Sequence, residues 1–358
     1  MHNQSVKMKF YFIVAIGLEQ LAVKEFIEKT NLLDIEFEDI EIGKGGFEAL
    51  ISFEKGPELN RVLKIPQRIL LRITEFKCRD FPKLFKKMKS LDWSNWLHGQ
   101  SVKWTASART SRLIHTGKIA KTCSDAIDEF YKAKTPKTKD LEQFGNKTLH
   151  FYIRIVDDIA TISFNTSGVD LYKRGRTIVN RAPLRETYSA ALFYMAKTYF
   201  NLENINLIDP MCGSGVILKE AITFYDESVR SFGFEDLKLY ERYPLKKMSY
   251  TISCKGADID SEVLETAEKN LENLNIEISK KDFFDQSFEQ NQLIIFNPPY
   301  NERIKIENAK KFFIEIGQKL KSKKALVLLP SDYVKASGGK PIATFLNGGI
   351  DVTIVVYS

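Results

Sequence analysis

The sequence predicts an α/β protein in two halves: a doubly wound, mainly parallel sheet towards the C-terminus, preceded by an α+β assembly. From Ile205 onward, short apolar runs (Ile205–Ile208, Ile252–Ala257, Leu293–Phe296, Ala325–Leu329) alternate with helical stretches, as parallel strands buried on both faces require. Two of these runs end in unusual loops, Asp209-Pro210-Met211-Cys212-Gly213-Ser214-Gly215 after the first and Asn297-Pro298-Pro299-Tyr300 after Phe296. The length, 358 residues, exceeds one ordinary core and calls for two or three domains.

Each element has its own signal. Lys9–Ala15 reads as a strand and Gly17–Lys29 as an amphipathic helix; the alternation in Gly43–Phe53 suits a hairpin, and Pro57–Lys64 a second helix. Ile69–Phe76 is a further strand, followed by a short helix, Phe81–Lys89, ending at Trp93 and Trp96. Then come a strand (Ser101–Ser107), a helix (Thr116–Tyr131), a Lys/Pro loop (Lys132–Lys139) and two strands, Thr148–Val156 and Ile159–Asn165. Thr166–Ala190, rich in glycine and arginine, reads as a connector running into helix Thr187–Phe200. Ile276–Ser279 adds a short strand to the parallel set. Ile342–Phe345 and Ile350–Tyr357, joined by Asn347-Gly348-Gly349, predict a terminal antiparallel hairpin. The aromatic, charged stretch Asp226–Tyr250 breaks the alternation and reads as an insertion that packs rather than reacts.

Composition is that of a water-soluble globular protein, 44% apolar and 28% charged, and no apolar run is long enough to span a bilayer. Lys7 and Lys9 precede an apolar patch at Phe10–Ile16, too short and too quickly followed by charge to be a leader. Four scattered cysteines read as reduced, cytoplasmic thiols, and neither they nor the four histidines are spaced to hold a metal. Net charge is +7, unevenly distributed. Trp93–Ser124 has no acid but contains Lys103, Arg109, Arg112, Lys118 and Lys121; Leu171–Arg185 has none but contains Lys173, Arg174, Arg176, Arg181 and Arg185. Lysines 132, 134, 137 and 139 form a third cluster. Such runs predict a surface for phosphates.

The two loops carry the chemistry. Gly213 and Gly215 let the backbone turn tightly and approach a ligand. The following helix start favours a carboxylate, and Asp209 can accept from an ammonium group. One strand further, Asp258 is placed to accept both hydroxyls of a ribose, Ile259 to lie against an adenine, and Asp260 to cap the next helix. Asp282, beside Phe283, can accept from the adenine amino group. These needs are those of S-adenosylmethionine. Asn297 and the Pro298 carbonyl can accept both N–H bonds of a planar exocyclic amine; Pro298 and Pro299 stiffen the loop, and Tyr300 can stack on the base. Such a pocket admits only an unpaired or flipped base. Cys212 lies in the cofactor turn, not over the substrate, which argues against a thiol nucleophile.

Thr166-Ser167-Gly168, Leu171-Tyr172-Lys173-Arg174-Gly175, Ala182-Pro183-Leu184-Arg185-Glu186-Thr187, the glycine loop and Asn297–Arg303 resemble the THUMP-domain RNA guanine-N2 methyltransferases, most nearly those acting on bacterial 23S rRNA. The resemblance implies a ferredoxin-like lobe (1–75), a THUMP domain for RNA (76–165), a connector (166–190) and a Rossmann-like class I methyltransferase domain (191–358). It places Pro183 and Thr187 at the cofactor together with Asp209, Pro210, Cys212, Gly213, Ser214, Gly215, Asp258, Ile259, Asp282, Phe283 and Asn297. It implies S-adenosylmethionine as cofactor and RNA (23S rRNA or tRNA) as partner; from the residues themselves no metal and no membrane are expected, and the length of the sequence gives no expectation of the second methyltransferase domain that some relatives carry. The basic residues expected on RNA are Lys103, Arg109, Arg112, Lys118, Lys121, Lys173, Arg174 and Arg176. Related enzymes act on tRNA, and Asn-Pro-Pro-Tyr would equally serve adenine N6 or a protein glutamine. A non-catalytic RNA-binding assembly factor is a further reading, which the intact loops disfavour.

Overall fold

The computed structural model describes residues 6–134, 136–174, 184–300 and 308–358. Pro183, Arg176, Arg181 and Asn301–Arg303 lie outside them. In the N-terminal half the strands are β1 (Lys7–Ile13), β2 (Phe37–Gly43), β3 (Gly46–Ser52), β4 (Arg68–Lys77), β5 (Ser101–Arg109), β6 (Thr148–Val156) and β7 (Ile159–Asn165). They form one sheet in the order β2-β3-β1-β4-β7-β6-β5. Strand β4 pairs antiparallel with β1 on one side and β7 on the other, so residues 1–75 and 76–165 meet within a shared sheet. Its helices are α1 (Glu19–Leu32), α2 (Leu59–Val62), α3 (Phe81–Ser90), α4 (Thr116–Ala133) and α5 (Thr138–Phe144).

Two local readings need correcting. The expected hairpin at 43–53 is only its second strand: the chain reverses at Lys44-Gly45, where Gly45 takes a φ of +85°. The Lys/Pro loop is shorter than expected, because α5 begins at Thr138. Elsewhere the apolar pattern places the strands well. Residues Ser101, Lys103, Thr105, Ser107 and Arg109 of β5 are exposed, while the residues between them are half-buried, as the two-residue period demands.

The C-terminal half holds α6 (Glu186–Tyr199), β8 (Asn204–Asp209), α7 (Val216–Ile222), β9 (Thr251–Asp258), α8 (Ser261–Asn270), β10 (Ile276–Lys280) and β11 (Leu293–Phe296). It ends with α9 (Ala309–Leu320), β12 (Lys324–Pro330), α10 (Val334–Ser337), β13 (Lys340–Asn347) and β14 (Ile350–Tyr357). The sheet order is β10-β9-β8-β11-β12-β14-β13, with β14 antiparallel to both its neighbours. The chain winds one way from β8 and the other from β11. Their C-terminal ends therefore open a crevice, the place where doubly wound sheets bind ligands. At the terminal hairpin Gly348 and Gly349 take φ values of +61° and +89°, as a type I′ turn needs.

The two halves are joined by a buried polar seam. Lys29 Nζ donates to Glu25 Oε1 at 2.8 Å and to the carbonyls of Val62 and Phe224. Arg174 forks onto Glu220 at 2.8–3.2 Å and also reaches the carbonyls of Leu171 and Lys64. The 226–250 insertion seals this seam: Arg230 donates to the carbonyls of Ser167, Val169, Asp170 and Lys173, Glu235 accepts from Arg61, and the Tyr240 hydroxyl donates to Glu58. It is packing material, as its aromatic content suggests.

Candidate active site

The crevice holds a cavity of about 1070 Å³ between the ends of β8, β9 and β11. The turn after β8 is shaped by its glycines. Gly213 (φ +53°) and Gly215 (φ +77°) are left-handed, and the Gly215 N–H donates to the Cys212 carbonyl at 2.8 Å. A Cβ on Gly215 would lie 2.7 Å from Leu271, so that glycine serves the turn from behind. Gly213 faces open space on the cavity wall, where a Cβ would occupy ligand volume.

Asp258 ends β9 and ties the two loops together, accepting from the Gly213 N–H at 2.9 Å and the Asp260 N–H at 3.1 Å. Its half-exposed oxygens keep lone pairs for a ligand. Asp260 caps α8 through the Glu262 N–H at 2.9 Å. Asp282 lines the cavity and caps a short 3₁₀ turn, accepting from the Phe284 N–H at 2.8 Å. Asp209 is 1% exposed, and burial pushes its carboxyl well above the usual range, with Asp258 adding and the Met211 N–H opposing. An ammonium group beside it would draw it back to the ionised form. Pro210 accepts from the buried Gln286 at 3.3 Å, which fixes the turn to the segment between β10 and β11. Burial likewise raises the Cys212 thiol, with Asp209 and Asp258 adding, so it is no ready nucleophile.

The opposite wall is the Asn297–Tyr300 loop. Asn297 Oδ1 is buried and has no hydrogen-bond partner among the described residues, a state that costs about 1–3 kcal/mol unless a donor arrives. The Tyr300 hydroxyl accepts from Asn347 Nδ2 at 3.1 Å, so the terminal hairpin holds the ring. Pro298 and Pro299 complete the loop, and Ser214, Ile259 and Phe283 line the same cavity. Thr187 does not line it: it is 1% exposed on α6, its Oγ1 without a partner among the described residues. Sequence reasoning missed Arg185 as a lining residue in its own right, along with Phe284, Phe312 and Asn347-Gly348. The Asn-Gly-Gly turn was visible, but not that its tip reaches the crevice.

Of the basic residues expected on RNA, Lys103, Arg109, Arg112, Lys118, Lys121 and Lys173 are exposed. Lys121 pairs with Asp125 at 2.9 Å, and Lys118 lies over the Phe81 ring at 4.3 Å. Arg174 does not belong with them. Its side chain is 7% exposed and fastened to Glu220, so burial and pairing remove it from the surface.

The described cavity wall carries five carboxylates (Asp209, Asp258, Asp260, Glu262, Asp282) and one cation, Arg185. Acceptors for an ammonium and a ribose, together with Ile259 exposed at 62%, suit S-adenosylmethionine, a sulfonium cation with an adenosine. Residues 173–332 match the family model described as UPF0020: RMKL-like, methyltransferase domain. The chain is 29% identical over 299 residues to the ribosomal RNA large subunit methyltransferase K/L of Colwellia psychrerythraea, covering 75% of this chain and 41% of that protein. It therefore spans less than half the length of that relative. It is 27% identical over 345 residues to the "Putative RNA methyltransferase YpsC" of Bacillus subtilis, covering 87% and 85%. The fold of SMU.472, solved in complex with SAH, superposes with a TM-score of 0.79 over 98% of both chains at 22% identity. The expected architecture, a Rossmann-like domain behind an α+β half, is thus the fold of this protein. Residues 173–332 thus match an RMKL-like methyltransferase domain, and the acceptors of the crevice suit S-adenosylmethionine as its cofactor.

Proposed function

We propose that the protein transfers a methyl group to the exocyclic N2 of guanine in RNA, with 23S rRNA as the substrate. The observation that supports this reading most is Asn297 Oδ1, a buried acceptor without a partner among the described residues, set on the crevice wall beside Pro298. An exocyclic amine supplies the missing donor. Asn297 Oδ1 and the Pro298 carbonyl accept its two N–H bonds, raise electron density on nitrogen and aim the lone pair across the crevice. Tyr300, held by Asn347, backs the base. S-adenosylmethionine supplies the electrophilic methyl when bound. Asp209, Asp258 and Asp282 would hold it, with Gly213 leaving it room.

RNA as the substrate is supported by the exposed cations Lys103, Arg109, Arg112, Lys118 and Lys121 on residues 76–165, which we assign as the RNA-binding domain. The relative from Colwellia psychrerythraea is named for methylation of large-subunit RNA. Guanine rests on the family resemblance. Incubation with tritiated cofactor and separate unmodified rRNA and tRNA pools, followed by nucleoside analysis, is expected to place label in N2-methylguanosine from 23S rRNA. Label in N6-methyladenosine would overturn the base, label in tRNA alone the substrate, and no label in either the whole reading.

A further inference from the structure

We infer that Arg185 binds the backbone phosphate of the target nucleotide, and so marks where the RNA strand enters the crevice; this rests on the reading of the crevice as an RNA methylation site. Arg185 is the one cation among the described residues that line the cavity, and its side chain is exposed. The other charges on that wall are carboxylates, gathered where β8, β9 and β10 end. Their field attracts the cationic cofactor and repels a phosphate. A nucleotide in the same cavity must therefore keep its phosphate away from them, and Arg185 is the cation among the described lining residues that can receive it.

Its placement supports the assignment. Arg185 is the N-cap residue of α6, and its carbonyl accepts from the N–H groups of Tyr188 and Ser189 at 3.0 and 3.1 Å, which fixes its backbone. The Tyr188 hydroxyl donates to the Leu346 carbonyl at 3.1 Å, next to Asn347, which in turn holds Tyr300. The Arg185 side chain reaches the Tyr188 hydroxyl and so belongs to the wall that the terminal hairpin and Tyr300 form. Its guanidinium lies over the Tyr172 ring at 5.3 Å, an arrangement that orients it without neutralising it. No acidic side chain pairs with it among the described residues. An arginine oriented on a pocket wall with no acidic partner among the described residues suits bidentate capture of a phosphate.

The test uses the full chain, a fluorescent 20-nucleotide single-stranded RNA and S-adenosylmethionine. For Arg185→Ala, the log–log slope of RNA affinity against salt should become shallower by about 0.7–0.9, the value for one lost phosphate contact. KM for in vitro transcribed 23S rRNA should rise several-fold, with kcat and cofactor affinity close to wild type. Arg185→Lys, which keeps the charge, should restore most of the slope. An unchanged slope in Arg185→Ala would overturn the inference. So would lost cofactor affinity with RNA affinity intact, which would assign Arg185 to the cofactor's carboxylate. If wild type binds no RNA at all, the RNA reading itself falls; if wild type binds RNA and Arg185→Ala behaves identically, only this inference does.

Discussion

The seam between the two halves and the crevice in the second are built from the same residue types, used in opposite ways. The side chains of Glu25, Lys29, Lys64, Arg174 and Glu220 are buried, and their oxygens and nitrogens meet one another, backbone groups or, for Lys64, the Ser228 hydroxyl. In the crevice, among the described residues, Asn297 Oδ1 has no partner and Arg185 no acidic one, and Asp258 keeps lone pairs free. Arg174 and Arg185 make the contrast within eleven positions of sequence. Satisfied polar groups hold a structure together, and unsatisfied ones wait for a ligand.

The largest expected effect lies in the seam. Arg174→Ala would leave Glu220, 3% exposed, as a buried unpaired carboxylate. Breaking a buried pair this way costs about 3–5 kcal/mol, so urea denaturation should show a large drop in midpoint. A wild-type midpoint would mean the pair is structurally idle and the contrast with the crevice false.

In the crevice, Asp258→Ala should leave stability nearly untouched but weaken cofactor binding tenfold or more, since charge-assisted hydrogen bonds contribute about 1.5–3 kcal/mol each. The lost tie to the Gly213 N–H, 2.9 Å in the native loop, acts in the same direction. Unchanged affinity by calorimetry would show that the ribose site is elsewhere.

The smallest effect sharpens the account of the seam. Burial pushes the Lys64 amine down from 10.5 to about 7, with Arg174 adding and Glu220 opposing. The unfolded chain therefore binds an extra proton between those values, and stability should rise with pH across that window. Lys64→Met should raise Tm by a few degrees at pH 6, the gain fading towards pH 10. A constant gain at both pH values would exclude a titrating Lys64 as its cause.

Much of the fold was legible because buried parallel strands read as bare apolar runs. Leu293–Phe296 is such a run, and β11 has those bounds. Asp260 was recognisable as a cap, because local backbone geometry decides it. What depends on distant partners was not legible. Arg174 looked like its basic neighbours, since nothing nearby announces that Glu220, 46 residues later, will claim it. Asn347 gave no sign that it would reach Tyr300 across 47 positions. Helix α9 goes unremarked in the sequence, although its buried Phe313, Ile316 and Leu320 mark a helical stripe.

The central claim is that Asn297 acts chiefly on the reacting amine. Single-turnover methylation of unmodified 23S rRNA by Asn297→Ala, with cofactor and RNA affinities measured in parallel, tests it most directly. The rate should fall by roughly 100-fold or more, as when one preorganised polar group is removed from a reaction centre, with both affinities preserved. A wild-type rate would contradict the claim, and so would a loss explained entirely by weaker cofactor binding.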